Sequence, residues 1–245
     1  MSDAGPTAAA APPAGTTEAE AEGARCATCG AGLAGRWCSR CGQEVERGRQ
    51  TLRRLIFGGL GRVIGVDGGF VHTAVRLTVA PHTVVTDYLA GRTVRYTHPF
   101  AYLVIAFATF ALVGELMDVT VAGEGESNRG MTALLVPFVA IASRVVFLRG
   151  RFNLAEHVIL VSYLFGHVAL LLAGLQALVP VLTVTAMQVL LVGAIVVIVA
   201  YFIWVYARVF PRRPALAGLG ALAALVGGVI LWTAALMMLV RIAQR

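Results

Sequence analysis

Lysine is absent from this chain, and charge of either sign is scarce. All 20 basic residues are arginine, only 13 are acidic, and charged residues make up 13% of 245 positions. Soluble domains carry roughly a quarter of their residues charged, so a freely soluble globular fold is excluded. Hydrophobic residues reach 58% and mean hydropathy is +0.79, which belongs to a protein that lives in a bilayer. The all-arginine positive side has two readings: GC-rich coding bias in a bacterium, or a demand for bidentate phosphate and lipid contacts.

Catalytic signatures are missing as well. There is no Gly-x-Ser-x-Gly, no phosphate-binding loop, and no Glu-x-x-His or His-Glu-x-x-His set on any apolar helix. Glu156-His157 is a single adjacent pair, too little for a metalloprotease. The first 24 residues lack both a basic start and an apolar run, so no secretory signal is expected there.

Cysteine is rare but concentrated. Cys26, Cys29, Cys38 and Cys41 are the only four, set as Cys26-Ala-Thr-Cys29-Gly30 and Cys38-Ser-Arg-Cys41-Gly42. A two-residue turn brings both sulfurs of each pair to one ion, so this spacing predicts a tetrahedral metal site. The glycine after each second cysteine permits positive φ, which lets the turn close with its amides facing sulfur. Zinc is the expected metal, with rubredoxin-type iron and redox dithiols as alternatives. Four protein ligands leave no open position, so the zinc is structural and not catalytic. Trp37 and Leu33 are expected to supply the core of this small unit. Thiolates that stay metal-loaded need a reducing compartment, which places this end in the cytoplasm.

The chain divides accordingly. Residues 1–24 are Ala, Pro, Gly and Glu-rich and read as a disordered tail. The four-cysteine ribbon occupies 25–43, and 44–98 is an amphipathic, juxtamembrane helical segment. Within it Leu52, Leu55, Ile56, Leu60 and Val63 share a helical face with Arg53, Arg54 and Arg62 elsewhere. That pattern fits a helix lying on the membrane or one packed in the cytosolic part. Pro81 suits a first helical turn, and Gly91 a C-terminal cap. Arg92, Arg95, Tyr96 and His98 form a basic, aromatic collar suited to anionic headgroups.

Residues 99–245 read as a transmembrane helical domain with about five spans, at 99–117, 131–148, 154–178, 183–207 and 215–240. Each approaches the length needed for a core of about 30 Å, the second least securely because Pro137 interrupts it and Arg144 lies near its end. Arg149 and Arg151 follow the second stretch, and Arg208, Arg212 and Arg213 the fourth. The intervening loops are acidic or uncharged, which gives an N-inside topology in a bacterial inner membrane. Arg241 and Arg245 at the other end mildly oppose it.

The third span holds a candidate intramembrane polar site. Glu156, Leu160, Tyr163, His167 and Gly174 fall within about 40° of one helical face, and His157 opens the neighbouring face. Buried ionisable groups in a membrane usually face a bundle interior or a water-filled cavity. Glu156 and His157 can equally sit at the cytoplasmic interface, and His167 can be a neutral histidine bonded to another helix. His157 and His167 project about 80° apart and some 15 Å along one helix, so they cannot grip one haem iron.

The ribbon ending Trp37-Cys38-Ser39-Arg40-Cys41-Gly42-Gln43, the run Pro81-His82-Thr83-Val84-Val85-Thr86-Asp87-Tyr88-Leu89-Ala90-Gly91-Arg92, the Tyr96-to-Pro99 lead-in and Glu156-His157 together resemble one bacterial family. It is the group of membrane proteins called domain of unknown function 3667, and the resemblance runs over about 25–170. It implies a multi-spanning membrane protein with a cytosolic zinc ribbon, and no activity. The expected role is that of a non-enzymatic inner-membrane protein whose ribbon recruits a cytosolic protein partner or senses the membrane surface. The alternative is a transport or permeation component with a polar path along Glu156, Tyr163 and His167. Arg25, Arg36, Arg40, Arg47 and Arg49 could serve a nucleic acid, but headgroup contacts are the simpler reading beside a bilayer. The lipid bilayer is the expected partner, and a homo-oligomer is compatible with the sequence.

Overall fold

The computed structural model describes residues 25–33, 35, 37–44, 49–53, 55–56, 69–117, 134–148, 150, 152–211 and 213–244. The acidic tail 1–24, together with Arg54 and Arg62, lies outside the described residues. Among those described, every regular element is helical. The sole strand-like pairings are two isolated bridges, Arg25 with Gly32 and Trp37 with Glu44.

After helical residues at Leu52, Arg53, Leu55 and Ile56 come two short helices, α1 (Gly69–Val79) and α2 (Pro81–Leu89), joined by Ala80 alone. Pro81 fills the first position of α2, where its missing N–H costs nothing. The far ends of both helices meet at Tyr96. The His72 ring stacks on it with centroids 5.7 Å apart, and its hydroxyl donates to Asp87 Oδ2 at 3.0 Å. The pair is therefore a folded-back hairpin. Gly91 closes α2 at φ +85°, with the amide of Arg92 reaching the Asp87 carbonyl and that of Gly91 the Tyr88 carbonyl. This is a Schellman ending, and only a residue at ease with positive φ permits it.

A 3-10 turn at Thr93–Arg95 leads into α3 (Pro99–Leu116), capped by His98, whose Nδ1 accepts from the Phe100 amide. Then follow α4 (Leu135–Val146), α5 (Leu154–Gln176), α6 (Val184–Val209) and α7 (Pro214–Ala243). Pro137 stands third in α4, inside the first turn, so it begins this helix instead of breaking it. Among the described residues, four segments are long and apolar enough to cross a membrane: Thr93–Leu116, Leu154–Val181, Val184–Val209 and Pro214–Ile242. The 12 residues of α4 rise only about 18 Å, short of a hydrocarbon core of about 30 Å.

Packing fixes the direction of each helix. Tyr163 meets Thr97 while Gly166 meets Tyr102 and Leu103, so α3 and α5 run parallel. Val139 faces Gly228 and Phe147 faces Gly220, so α4 runs against α7. Both crossings depend on a missing side chain. A Cβ at Gly228 would lie 2.4 Å from Val139 Cγ2 and 2.7 Å from its Cα. The small-residue stripe of Ala217, Ala221 and Ala224 is buried along the same helix, which lets backbones approach closely.

Burial is lopsided along the bundle. On α6 the buried residues are Phe202, Val205, Tyr206 and Val209, all toward the end that adjoins the ribbon. The opposite half exposes Val189, Val192, Val196 and Val197, and the far half of α7 exposes Ile230, Met237, Met238 and Leu239. Apolar surface on this scale is stable only in lipid or against another apolar surface.

Candidate metal centre and its seat on the bundle

The two cysteine knuckles fold by the same local rules. In each, the glycine after the second cysteine adopts positive φ, +73° at Gly30 and +70° at Gly42. Each glycine amide donates back to the first cysteine's carbonyl, at 2.9 Å in both knuckles. The amides of Cys26 and Cys38 reach Ala31 O and Gln43 O, both at 2.8 Å. Glycine is required because this turn needs a left-handed backbone without a Cβ.

The result is a compact group of sulfur. The Sγ atoms of Cys26 and Cys41 lie 3.5 Å apart, as do those of Cys29 and Cys38. All four ligand atoms fall within 4.8 Å of one another. A tetrahedral ion with bonds of about 2.3 Å to sulfur demands edges of about 3.8 Å, so the donor set fits a metal. Amides of Cys29 and Thr28 donate to the Cys26 sulfur and hold its thiol down to about 6. Amides of Cys41 and Arg40 lower Cys38 in the same way. The amide of Gln43 also pulls Cys41 down, but burial and the facing sulfurs outweigh it and push that thiol up to about 12. Such a cluster holds four thiolates together only around a cation.

Trp37 does not fill this unit's core, since it is 53% exposed. Leu33 is half-buried. The burial goes instead to Gln43, which is 2% exposed and joins the ribbon to the collar. Its Nε2 donates to Thr93 Oγ1 at 3.0 Å, while its Oε1 accepts from the Val94 amide at 3.1 Å and from Thr28 Oγ1 at 2.9 Å. Arg95 adds a bond from Nη2 to the Thr28 carbonyl, and His72 on α1 bonds the Arg95 carbonyl. Arg92 pairs with Asp87 at 2.8 Å. Thus Arg92 and Arg95 hold protein partners at the ribbon's seat, and Arg53 is exposed.

A second fastening lies at the start of α5. Asn153 and Glu156 form a reciprocal capping box, Oδ1 accepting from the Glu156 amide at 2.9 Å and Oε2 from the Asn153 amide at 2.7 Å. Glu156 also receives Arg49, whose Nε reaches Oε1 at 3.1 Å. Asn153 Nδ2 donates to the Gln50 carbonyl at 2.9 Å. Beside this pair is a cleft of about 620 Å³ lined by Thr86, Leu89, Phe152 and Val209.

The other polar residues of α5 go to separate partners. His157 Nδ1 meets Ser143 Oγ at 2.8 Å, and Ser143 meets Tyr206 OH at 2.9 Å, so α4, α5 and α6 are tied together. Phe147, Phe152 and Phe210 enclose that imidazole, and its Nε2 has no hydrogen-bond partner among the described residues. Tyr163 donates to the Thr97 carbonyl at 2.6 Å. His167 lies between Tyr102 OH, 3.1 Å from Nδ1, and Thr78 Oγ1, 3.3 Å from Nε2. Since Thr78 gives its own proton to the Ala74 carbonyl, the neutral Nε2–H form satisfies every contact. Glu156, Tyr163 and His167 are each held by a different element, and the described residues do not join them into one polar chain.

Gln43, Thr93, Asn153, Ser143, Tyr102, Tyr201 and Tyr206 were not anticipated as site residues. Only the Asn-x-x-Glu box was readable, as a capping signature.

Residues 67–111 match a family described as "Protein of unknown function (DUF3667)". The matched stretch holds the hairpin, the collar and most of α3, a narrower region than the resemblance over 25–170, and it excludes the ribbon. No curated protein matches the chain. Nor does any solved structure match it.

Proposed function

We propose that the chain is a non-enzymatic inner-membrane protein of bacterial type, in which a structural zinc ribbon forms a rigid cytosolic docking knob. The observation that carries this reading is the buried Gln43 amide, which grips the collar with both its donor and its acceptor. A mobile tether needs no such seat; a platform does. Zinc is favoured because four cysteines complete a closed tetrahedral set with no position left for substrate.

Orientation follows from charge. Arg92, Arg95, Arg208 and Arg213 stand at the ribbon end of the helices, as the positive-inside rule requires of a cytosolic face. Because α3, α5 and α7 run away from that face and α4 and α6 run toward it, the proposed path crosses five times, with α4 as the inner half of one crossing. Trp37 and the exposed Arg40 beside it are the surface offered to a cytosolic protein.

The test is photo-crosslinking in native membranes from position 40 of the ribbon. The expected result is one reproducible cytosolic protein, captured by the parent and by His167→Ala, and lost in Cys38→Ser. Capture that is indifferent to Cys38→Ser, or loss that follows His167→Ala instead, would count against a docking role.

A further inference from the structure

The hairpin of α1 and α2 carries an apolar stripe that none of the described residues covers. Val71, Val75 and Val79 stand at successive i, i+4 positions and are 68%, 56% and 67% exposed. The opposite face is buried through Thr73 and Leu77. The polar ends of the hairpin and its tip are at different depths. His72 and Asp87 both engage Tyr96, which precedes α3 by three residues. Thr78, near the tip, instead contacts His167, which also binds Tyr102 inside α3. Along α6 the same order holds: Thr86 and Leu89, toward the open end, share a cleft with Val209, whereas Leu77 near the tip meets Tyr201, eight residues or about 12 Å back from the end of that helix.

The backbone at the tip is satisfied as a nonaqueous setting demands. Pro81 has no N–H, so the carbonyl four residues earlier, that of Leu77, loses its helical donor. Tyr201 of α6 supplies one, with its hydroxyl 3.1 Å from Leu77 O. Thr73 and Thr78 return their hydroxyl protons to the carbonyls of Gly69 and Ala74. In hydrocarbon an unsatisfied backbone group costs several kcal/mol, so non-helical backbone survives there only where protein caps it.

We infer that residues 69–89 form a shallow re-entrant hairpin whose Val71–Val75–Val79 stripe faces lipid hydrocarbon, with its tip below the headgroups and its two open ends at them. The occupant of the stripe is the bilayer itself, because the tip lies beside His167 and Tyr201, well inside the membrane-length helices α5 and α6, and an apolar face left open at that depth meets hydrocarbon. Arg76 and Asp87 both interact with Tyr96 at the collar, short of the tip, where charge is tolerated. Through the collar this hairpin is joined to the ribbon, so bilayer thickness and headgroup packing bear on the same residues that Gln43 grips. This reading does not depend on the ribbon recruiting a partner.

The test uses nitroxide labels on single added cysteines at Val71, Val75 and Val79. The zinc-loaded full chain is reconstituted in phosphatidylethanolamine–phosphatidylglycerol vesicles, with the unsubstituted protein as background. Collision with oxygen should exceed collision with a water-soluble nickel chelate several-fold at Val79, and the excess should grow from Val71 to Val79. Chelate collision that dominates at Val79 would place the hairpin in water. Low collision with both would mean that protein, such as a second copy, covers the stripe. Either result overturns the proposal. Should a labelled variant not fold, Val79→Trp in vesicles with brominated chains decides the matter. Extra emission that is quenched supports a lipid-facing stripe, and extra emission that persists overturns it.

Discussion

Gln43 donates its side-chain amide to the hydroxyl of Thr93 at 3.0 Å, across 50 residues of chain. Both residues are buried, so the ribbon and the helical bundle are one body and not a head on a string.

Removing that side chain should release the ribbon without unfolding it. Gln43→Ala leaves all four cysteines and both glycine turns intact but strips partners from the Val94 amide and the Thr93 hydroxyl. Orphaning buried groups costs about 1–3 kcal/mol, so amide exchange at Thr93 to Tyr96 should rise at least about fivefold while metal content stays unchanged.

Metal removal should act locally. Structural zinc contributes about 10–16 kcal/mol to the folding of small fingers, and a unit with an exposed Trp37 has no core to replace it. Chelation, or Cys38→Ser, is expected to make residues 25–44 sensitive to protease. The far-ultraviolet helical signal should be unchanged, because α3 to α7 take none of their packing from sulfur.

The Arg49–Glu156 pair and the capping box can be separated by two substitutions. Glu156→Gln keeps a side-chain acceptor at the third helical position and loses only the ionic contact. Arg49 is 59% exposed, so that loss should cost at most about 1 kcal/mol. Glu156→Ala removes the reciprocal bond to the Asn153 amide as well and should cost about 1–2 kcal/mol. Thermal unfolding in detergent gives the order, with the alanine variant less stable.

The close approach of α4 and α7 makes a steric prediction. Gly228→Val should destabilise by about 1–3 kcal/mol through overpacking, since even its Cβ collides with the Val139 backbone. Gly193→Ala meets nothing within 4 Å and should be neutral or slightly stabilising. Retention of a monodisperse, folded species on size-exclusion chromatography separates the two.

These residues also mark what was legible in the sequence. The cysteine knuckles and their glycines could be read because each is a local device, complete within six residues. Pro81 and Gly91 could be read for the same reason. The seat of the ribbon could not, because Gln43 and Thr93 have ordinary neighbours and meet only after the hairpin folds back. Trp37 misled because an aromatic beside a metal site resembles a core residue, yet a unit this small buries backbone and sulfur first. The polar face of α5 was visible as a pattern, but periodicity cannot tell whether one cavity or several separate partners receive it. The membrane character was plain from composition. The half-length of α4 was not, because a proline in an apolar run reads equally as a break or as a beginning.

The most direct test is metal analysis of the full chain, purified in detergent under reducing conditions without added metal, alongside titration of its thiols. One zinc per chain is expected, with four cysteines that react only after chelation. Protein without stoichiometric metal, carrying four freely reactive thiols or Cys26–Cys41 and Cys29–Cys38 disulfides, would contradict it.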